Sequence, residues 1–194
     1  WGRLIDFFAK LLDKPDFWSE EVVNDHDLTP TRDWIPPFIA EFLRAGTRDD
    51  NKAYPPELLT RTFALIKILL EKLEPVDDAK EDSMFQAINS PRGKAIEALF
   101  SHTLRVCRIS DKERGDHSEA WDVIKPAFNA ELAKCENTNY EFSTLAAAYL
   151  ANIDYISRDW LRNNIDKIFP KDFPENFACA IDGLAYTSAS RSIY

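Results

Sequence analysis

Glycine is scarce in this chain of 194 residues: Gly2, Gly46, Gly93, Gly115 and Gly183 are its five, and no two stand in a GxxxxGK[ST] or GxGxxG arrangement. A loop that cradles phosphate needs backbone N–H groups brought close by such glycines, so a phosphate loop of the usual kind is excluded. Long apolar runs are missing too. The best, Leu65-Ile66-Lys67-Ile68-Leu69-Leu70, is broken by a lysine, well short of the roughly 18–20 residues of a membrane span. Basic surplus is also absent, with 24 Lys and Arg against 33 Asp and Glu, a formal charge of −9, and no run of more than two adjacent basic residues. Neutralising phosphates takes clustered cations, which argues against a nucleic-acid face. The three cysteines, Cys107, Cys135 and Cys179, are an odd number, widely spaced, and at least two lie in apolar helical patterns. They point to a reduced, cytoplasmic protein rather than a disulfide frame.

What is present is apolar and helical. With 45% hydrophobic and 12% aromatic residues the chain folds, and no convincing period-two segment signals a strand. The clearest stretch is Ala87 to Arg108. Ser90 offers a capping hydroxyl, and Pro91 suits the first helical position, where no donor is needed. Beyond them Ile96, Leu99, Phe100, Leu104, Val106 and Cys107 recur at helical spacing, with Glu97, Ser101, Arg105 and Arg108 on the opposite side. This predicts a central helix with one packed and one wet face. Gly93 in its first turn costs about 1 kcal/mol of helix propensity, which implies that another backbone passes close by.

Before it, Leu4, Ile5, Phe8, Leu11 and Leu12 predict a short helix, and Asp16 can cap a turn carrying Phe17, Trp18, Val22 and Val23. A helix from Thr31 carries Trp34, Phe38, Phe42 and Leu43, with Pro36 and Pro37 tolerable only in its first turn and Gly46 as its stop. Leu59, Phe63, Ile66, Leu70 and Leu73 keep to one face for about four turns. Ser83 can cap a turn with Met84, Phe85 and Ile88. After the central helix, Ile109 to His117 is the most polar stretch and reads as a mobile tip. A helix from Ser118 or Asp116 carries Trp121, Val123, Ile124, Phe128 and Leu132, kinked or split by Pro126. Tyr140 to Ile153 follows, its Ala146-Ala147-Ala148 run allowing close backbone approach. Ser157 caps a helix with Trp160, Leu161, Ile165, Ile168 and Phe169 inward, and Pro174 starts one through Phe177, Ala178, Ile181, Leu184 and Ala185.

The fold class expected is therefore all-α. From Pro91 the helix starts are spaced by roughly 17 to 28 residues, which suits helix pairs of about 34–47 residues. An α-solenoid of degenerate antiparallel pairs, TPR- or HEAT-like, is favoured, and a closed helical bundle is the alternative. Residues 1–83 form an N-terminal helical part and 84–194 a repeat part, together one continuous array. Beginning at Trp1 and ending just after a candidate cap at Ser190, the chain reads as a piece of a longer protein.

Candidate chemistry is thin. Asp25-His26-Asp27 suggests the His-Asp pair of helical metal hydrolases, but no histidine precedes His26, and His102 and His117 follow singly; a solvated loop is favoured. Cys107 sits on an apolar face, where a thiol acts as a small hydrophobe. The acidic loop Asp77 to Asp82 lacks calcium-loop spacing and its mid-loop glycine. Trp34, Trp121 and Trp160 read as core. Arg92 and Lys94 lie at a helix start, where cations oppose the dipole, so an acidic partner across the packed pair is expected to hold Arg92. The residues singled out, Ser90, Arg92, Gly93, Ser157 and Trp160, are structural; catalytic residues, cofactor and metal are expected to be none.

Two stretches carry a resemblance. Ala87-Ile88-Asn89-Ser90-Pro91-Arg92-Gly93-Lys94-Ala95-Ile96-Glu97-Ala98-Leu99, then Tyr149-Leu150-Ala151-Asn152-Ile153-Asp154-Tyr155-Ile156-Ser157-Arg158-Asp159-Trp160 with Ile168-Phe169-Pro170, resemble the C-terminal helical-repeat region of large bacterial anti-phage defence proteins. These include the antiviral STAND NTPases (Avs) and sirtuin-type defence proteins. The likeness spans residues 84 to 188. It implies a sensor that binds a phage structural protein such as terminase or portal and relays this to an effector elsewhere in the chain, an NTPase, nuclease or NADase in the full-length protein. No such effector motif is present in these residues. The alternative function is a regulatory or scaffolding helical domain mediating self-association, as a homo-oligomer through the parent protein.

Overall fold

The computed structural model describes residues 1–19, 34–48, 51–79 and 82–187. Among them there is no strand. The helices are α1 (Gly2–Leu12), α2 (Pro15–Ser19), α3 (Ile35–Ala45), α4 (Leu59–Lys72, entered by a 3-10 turn at Pro56–Leu58), α5 (Ser83–Asn89), α6 (Pro91–Arg114), α7 (Ser118–Leu132), α8 (Tyr140–Ala148), α9 (Leu150–Ile168) and α10 (Pro174–Ala185). None is long and apolar enough to cross a membrane.

Two helices organise the packing. α6 touches α3, α4, α5, α7, α8 and α9, and α8 touches α5, α6, α7, α9 and α10. Every residue of α8 from Tyr140 to Ala147 is buried, the pattern of a helix surrounded by others. The chain achieves this with small side chains: Ala146 and Ala147 lie in α8, and at Gly183 on α10 a Cβ would collide with the Thr144 carbonyl. Around Phe100 of α6 an aromatic cluster joins α6, α7, α8 and the break between α8 and α9, with Tyr149 stacked at 4.5 Å, Phe128 edge-on at 5.1 Å and Phe142 beyond. Each such side chain contributes about 1.5–3 kcal/mol on burial.

α6 starts as its sequence predicts. Ser90 Oγ accepts from the Gly93 N–H at 2.9 Å and Pro91 takes the first helical position. The helix runs further than expected, through the polar stretch read as a mobile tip. It ends at Gly115, whose φ of 75° is the left-handed conformation of a helix stop. Ile109 to Arg114 are helix-compatible types, and Ser110 is buried, donating to the Asp116 carbonyl at 2.7 Å. The wet face is also a correction. Arg105 is buried, donating to the carbonyls of Arg48 and Tyr54, so the connection from α3 to α4 covers α6 there, while Arg108 on the same face is exposed.

Other faces are displaced. Trp34 and Phe38, read as inward, are 65% and 64% exposed, because α3 buries Pro36, Ile39, Ala40 and Leu43 instead. Val123 of α7 and Ile181 of α10 are likewise exposed. The cap of α5 is Asp82, whose carboxylate accepts from the Phe85 N–H at 2.8 Å; the Ser83 hydroxyl donates to Asp182 at 2.7 Å. Pro126 neither splits α7 nor ends it. The Tyr140 to Ile153 segment breaks at Tyr149, so α8 and α9 are separate. Val22, Val23, Asp25-His26-Asp27, the Thr31 start and the Ser190 cap lie outside the described residues.

Candidate functional site

Two of the residue groups singled out come together in space, at different places. The first is the α5–α6 junction. Arg92, 2% exposed, donates from Nε to Asn139 Oδ1 at 2.9 Å, from Nη1 to the carbonyls of Leu70 and Leu73, and from Nη2 to the Glu131 carboxylate. Leu70 lies in the last turn of α4 and Leu73 follows it, so a cation set against the start of its own helix faces the electronegative end of another. Asn139 holds left-handed backbone at φ 52° and donates to the Glu131 carbonyl and carboxylate. Lys134 adds a second cation at 2.8 Å. Ser90, besides capping α6, donates to Glu141 Oε1 at 3.2 Å, and that oxygen also accepts from the Val76 N–H. Burial raises the Glu141 pKa. The backbone passing Gly93 is that of Ala87, whose carbonyl a Cβ would strike. This centre joins α4, α6, α7 and α8; Arg92 is fully partnered in it, while Glu141 Oε2 is buried without a hydrogen-bond partner among the described residues.

The second group is the kink of α9. Ser157 has φ −164° and ψ 99°, which divides α9 into two straight segments, and its Oγ accepts from the Trp160 N–H at 3.2 Å as the cap of the second. Trp160 packs edge-on against Trp121 and Phe128, and its Nε1 donates to Asn129 Oδ1 at 2.7 Å. Between α7 and the second segment of α9 lies a groove of about 680 Å³, with Trp121 and Trp160 in its floor, Asn129, Asn163 and Asn164 on its walls, and Asp122, Lys125, Asp159 and Lys167 around it.

A third cluster adjoins the same kink. His117 presents Nδ1 to Asp111 Oδ1 at 2.7 Å and Nε2 to the Ile156 carbonyl at 3.0 Å, while Tyr155 donates its hydroxyl to Asp111 Oδ2. Both ring nitrogens face acceptors, an arrangement that favours the imidazolium, in which both carry hydrogen. Burial opposes that charge; the bonds to Asp111 and Ile156 outweigh it, and the His117 pKa is raised. Asp111 is lowered, by Tyr155 first and then by His117.

Chemically these groups are poorly suited to turnover. As imidazolium, His117 has no free lone pair to take a proton. Burial pushes the thiols of Cys107 and Cys135 up to about 12, so neither is a thiolate at neutral pH. Burial also lowers His102 to about 4; it stacks on Phe63 and meets Thr62 as a neutral ring. Among the described residues no group of three or more His, Cys, Asp or Glu side chains converges as metal ligands would. The amides Asn129, Asn163 and Asn164 were not singled out from sequence, and His117 stood there only as a single histidine at the end of a polar stretch. The adjacent Asn163-Asn164 pair was the available signal, since asparagine is a weak helix former and two inside one helix need a reason.

Fold and site together define a class: an all-helical unit pinned by a buried Arg–Glu pair, with a polar groove beside a kinked helix. No family model, no curated protein and no solved structure matches the chain.

Proposed function

We propose that this chain is a protein-recognition module of a larger bacterial antiviral defence protein, without catalysis of its own, that senses a phage protein such as terminase or portal and relays binding to an effector elsewhere. The observation that carries recognition is the α7–α9 groove, whose wall amides keep hydrogen-bonding capacity that the fold does not use. The defence setting is supported by the sequence resemblance, whose two stretches fall on the α5–α6 junction and on the first segment and kink of α9. Of the two architectures considered, packing favours closure: α10 returns to α5 as well as to α8, whereas an open array contacts near neighbours. The partner surface is then a groove between helices, not one long concave face.

Self-association is the second reading, and α3 favours it. Trp34 and Phe38 are exposed beside Pro37, Asn89, Pro91 and Lys94 around a hollow of about 400 Å³, an apolar surface of the kind that marks interfaces. Pull-down of purified phage terminase and portal with this chain, alongside its elution volume on gel filtration, separates the two. Capture of either phage protein by a monomer supports sensing; a dimer that captures neither supports scaffolding.

A further inference from the structure

The geometry points to an extended peptide segment of a partner protein, recognised through its backbone, as the occupant of the α7–α9 groove; this rests on the protein-recognition reading above. The amides are oriented. Asn129 Oδ1 is held by the Trp160 indole N–H, which leaves its Nδ2 hydrogens without a partner among the described residues, and Asn164 Nδ2 donates to the Trp160 carbonyl at 2.8 Å, which leaves its Oδ1 without one. A donor on α7 and an acceptor on α9 thus line one groove, and the Asn163 side chain, which lines it too, makes no hydrogen bond within the described residues. A peptide unit offers one carbonyl and one N–H, and this donor and acceptor pair answers both.

The surroundings exclude other ligand classes. Asp122 and Asp159 balance Lys125 and Lys167, so the groove has no excess charge for a polyanion. Trp121 and Trp160 are each 5% exposed and packed edge to face, 5.9 Å apart at 81°, so neither offers an open ring to stack a sugar or a base. The cavity lies within the about 300–1,000 Å³ of ligand-sized clefts.

The test uses a random octapeptide library selected on the chain, with enriched peptides measured by fluorescence anisotropy. Enriched peptides are expected to lose about tenfold or more in affinity when one backbone amide is N-methylated, and again on Asn163→Ala and Asn164→Ala, with far-UV circular dichroism unchanged. Asn163→Ala removes no internal hydrogen bond, so it reads the groove even if Asn164→Ala unfolds. The inference is overturned if no octapeptide is enriched, if both variants keep wild-type affinity, or if an oligosaccharide or single-stranded DNA binds in the peptide's place. Capture of terminase or portal that survives both variants would overturn the groove while leaving the recognition reading standing.

Discussion

Arg92 and Glu131, 39 positions apart, form an ion pair in which the two side chains are 2% and 3% exposed. Removing one partner of such a pair strands the other charge in the interior, a loss of about 3–5 kcal/mol, whereas removing both costs much less. Arg92→Met is therefore expected to lower the urea midpoint sharply, and Arg92→Met/Glu131→Leu to recover part of the loss. A double variant as weak as the sum of the singles would deny the coupling.

Gly93 and Gly183 are held to glycine by backbone, not by side chains that could move aside. A methyl at either meets a carbonyl, of Ala87 or of Thr144. Gly93→Ala and Gly183→Ala should each cost about 1–3 kcal/mol by overpacking, although alanine is the better helix former. Thermal melts that rise instead would show that α5–α6 and α8–α10 are less closely packed than described.

How far the sequence could carry a reader shows at these positions. The start of α6 was legible because Ser90 and Pro91 act locally, and so was the start of α10 at Pro174. That glycine at 93 needed a passing backbone was legible too, though not which one. The partner of Arg92 was not, since nothing near residue 92 points to residue 131. Trp34 and Phe38 misled because helical spacing marks an apolar stripe without saying which stripe meets a neighbour; on α3 it was Ile39, Ala40 and Leu43. The groove amides were missed because surface asparagines carry no periodic signal.

The two described histidines should pull stability in opposite directions with pH. His117 has a folded-state pKa above its unfolded value of about 6.5, so its contribution is complete below that value and lost as pH rises through the raised pKa. His117→Gln should therefore destabilise clearly at pH 6 and little at pH 9, read as the difference in urea midpoint from wild type. The opposite order would contradict an imidazolium bridging Asp111 and Ile156.

His102 works the other way. Its folded-state pKa of about 4 lies below the unfolded value, so stability is present above pH 6.5 and falls between there and pH 4, by roughly 3 kcal/mol at most. His102→Leu should flatten that part of the pH profile. An unchanged acid slope would show that His102 is protonated in the fold.

Ser157 caps the second segment of α9 through the Trp160 N–H, and Ser157→Ala is expected to cost about 1 kcal/mol. Hydrogen exchange should quicken in the turn after residue 157 and not in α8, since the cap acts on that segment alone.

Biolayer interferometry of the immobilised chain against purified phage portal and terminase tests the central claim most directly, which is that these helices recognise a protein. The account predicts saturable binding to at least one of them with a Kd of about 10 μM or tighter, weakened on Asn163→Ala. No response from either at about 100 μM, from a chain shown to be folded, would contradict it.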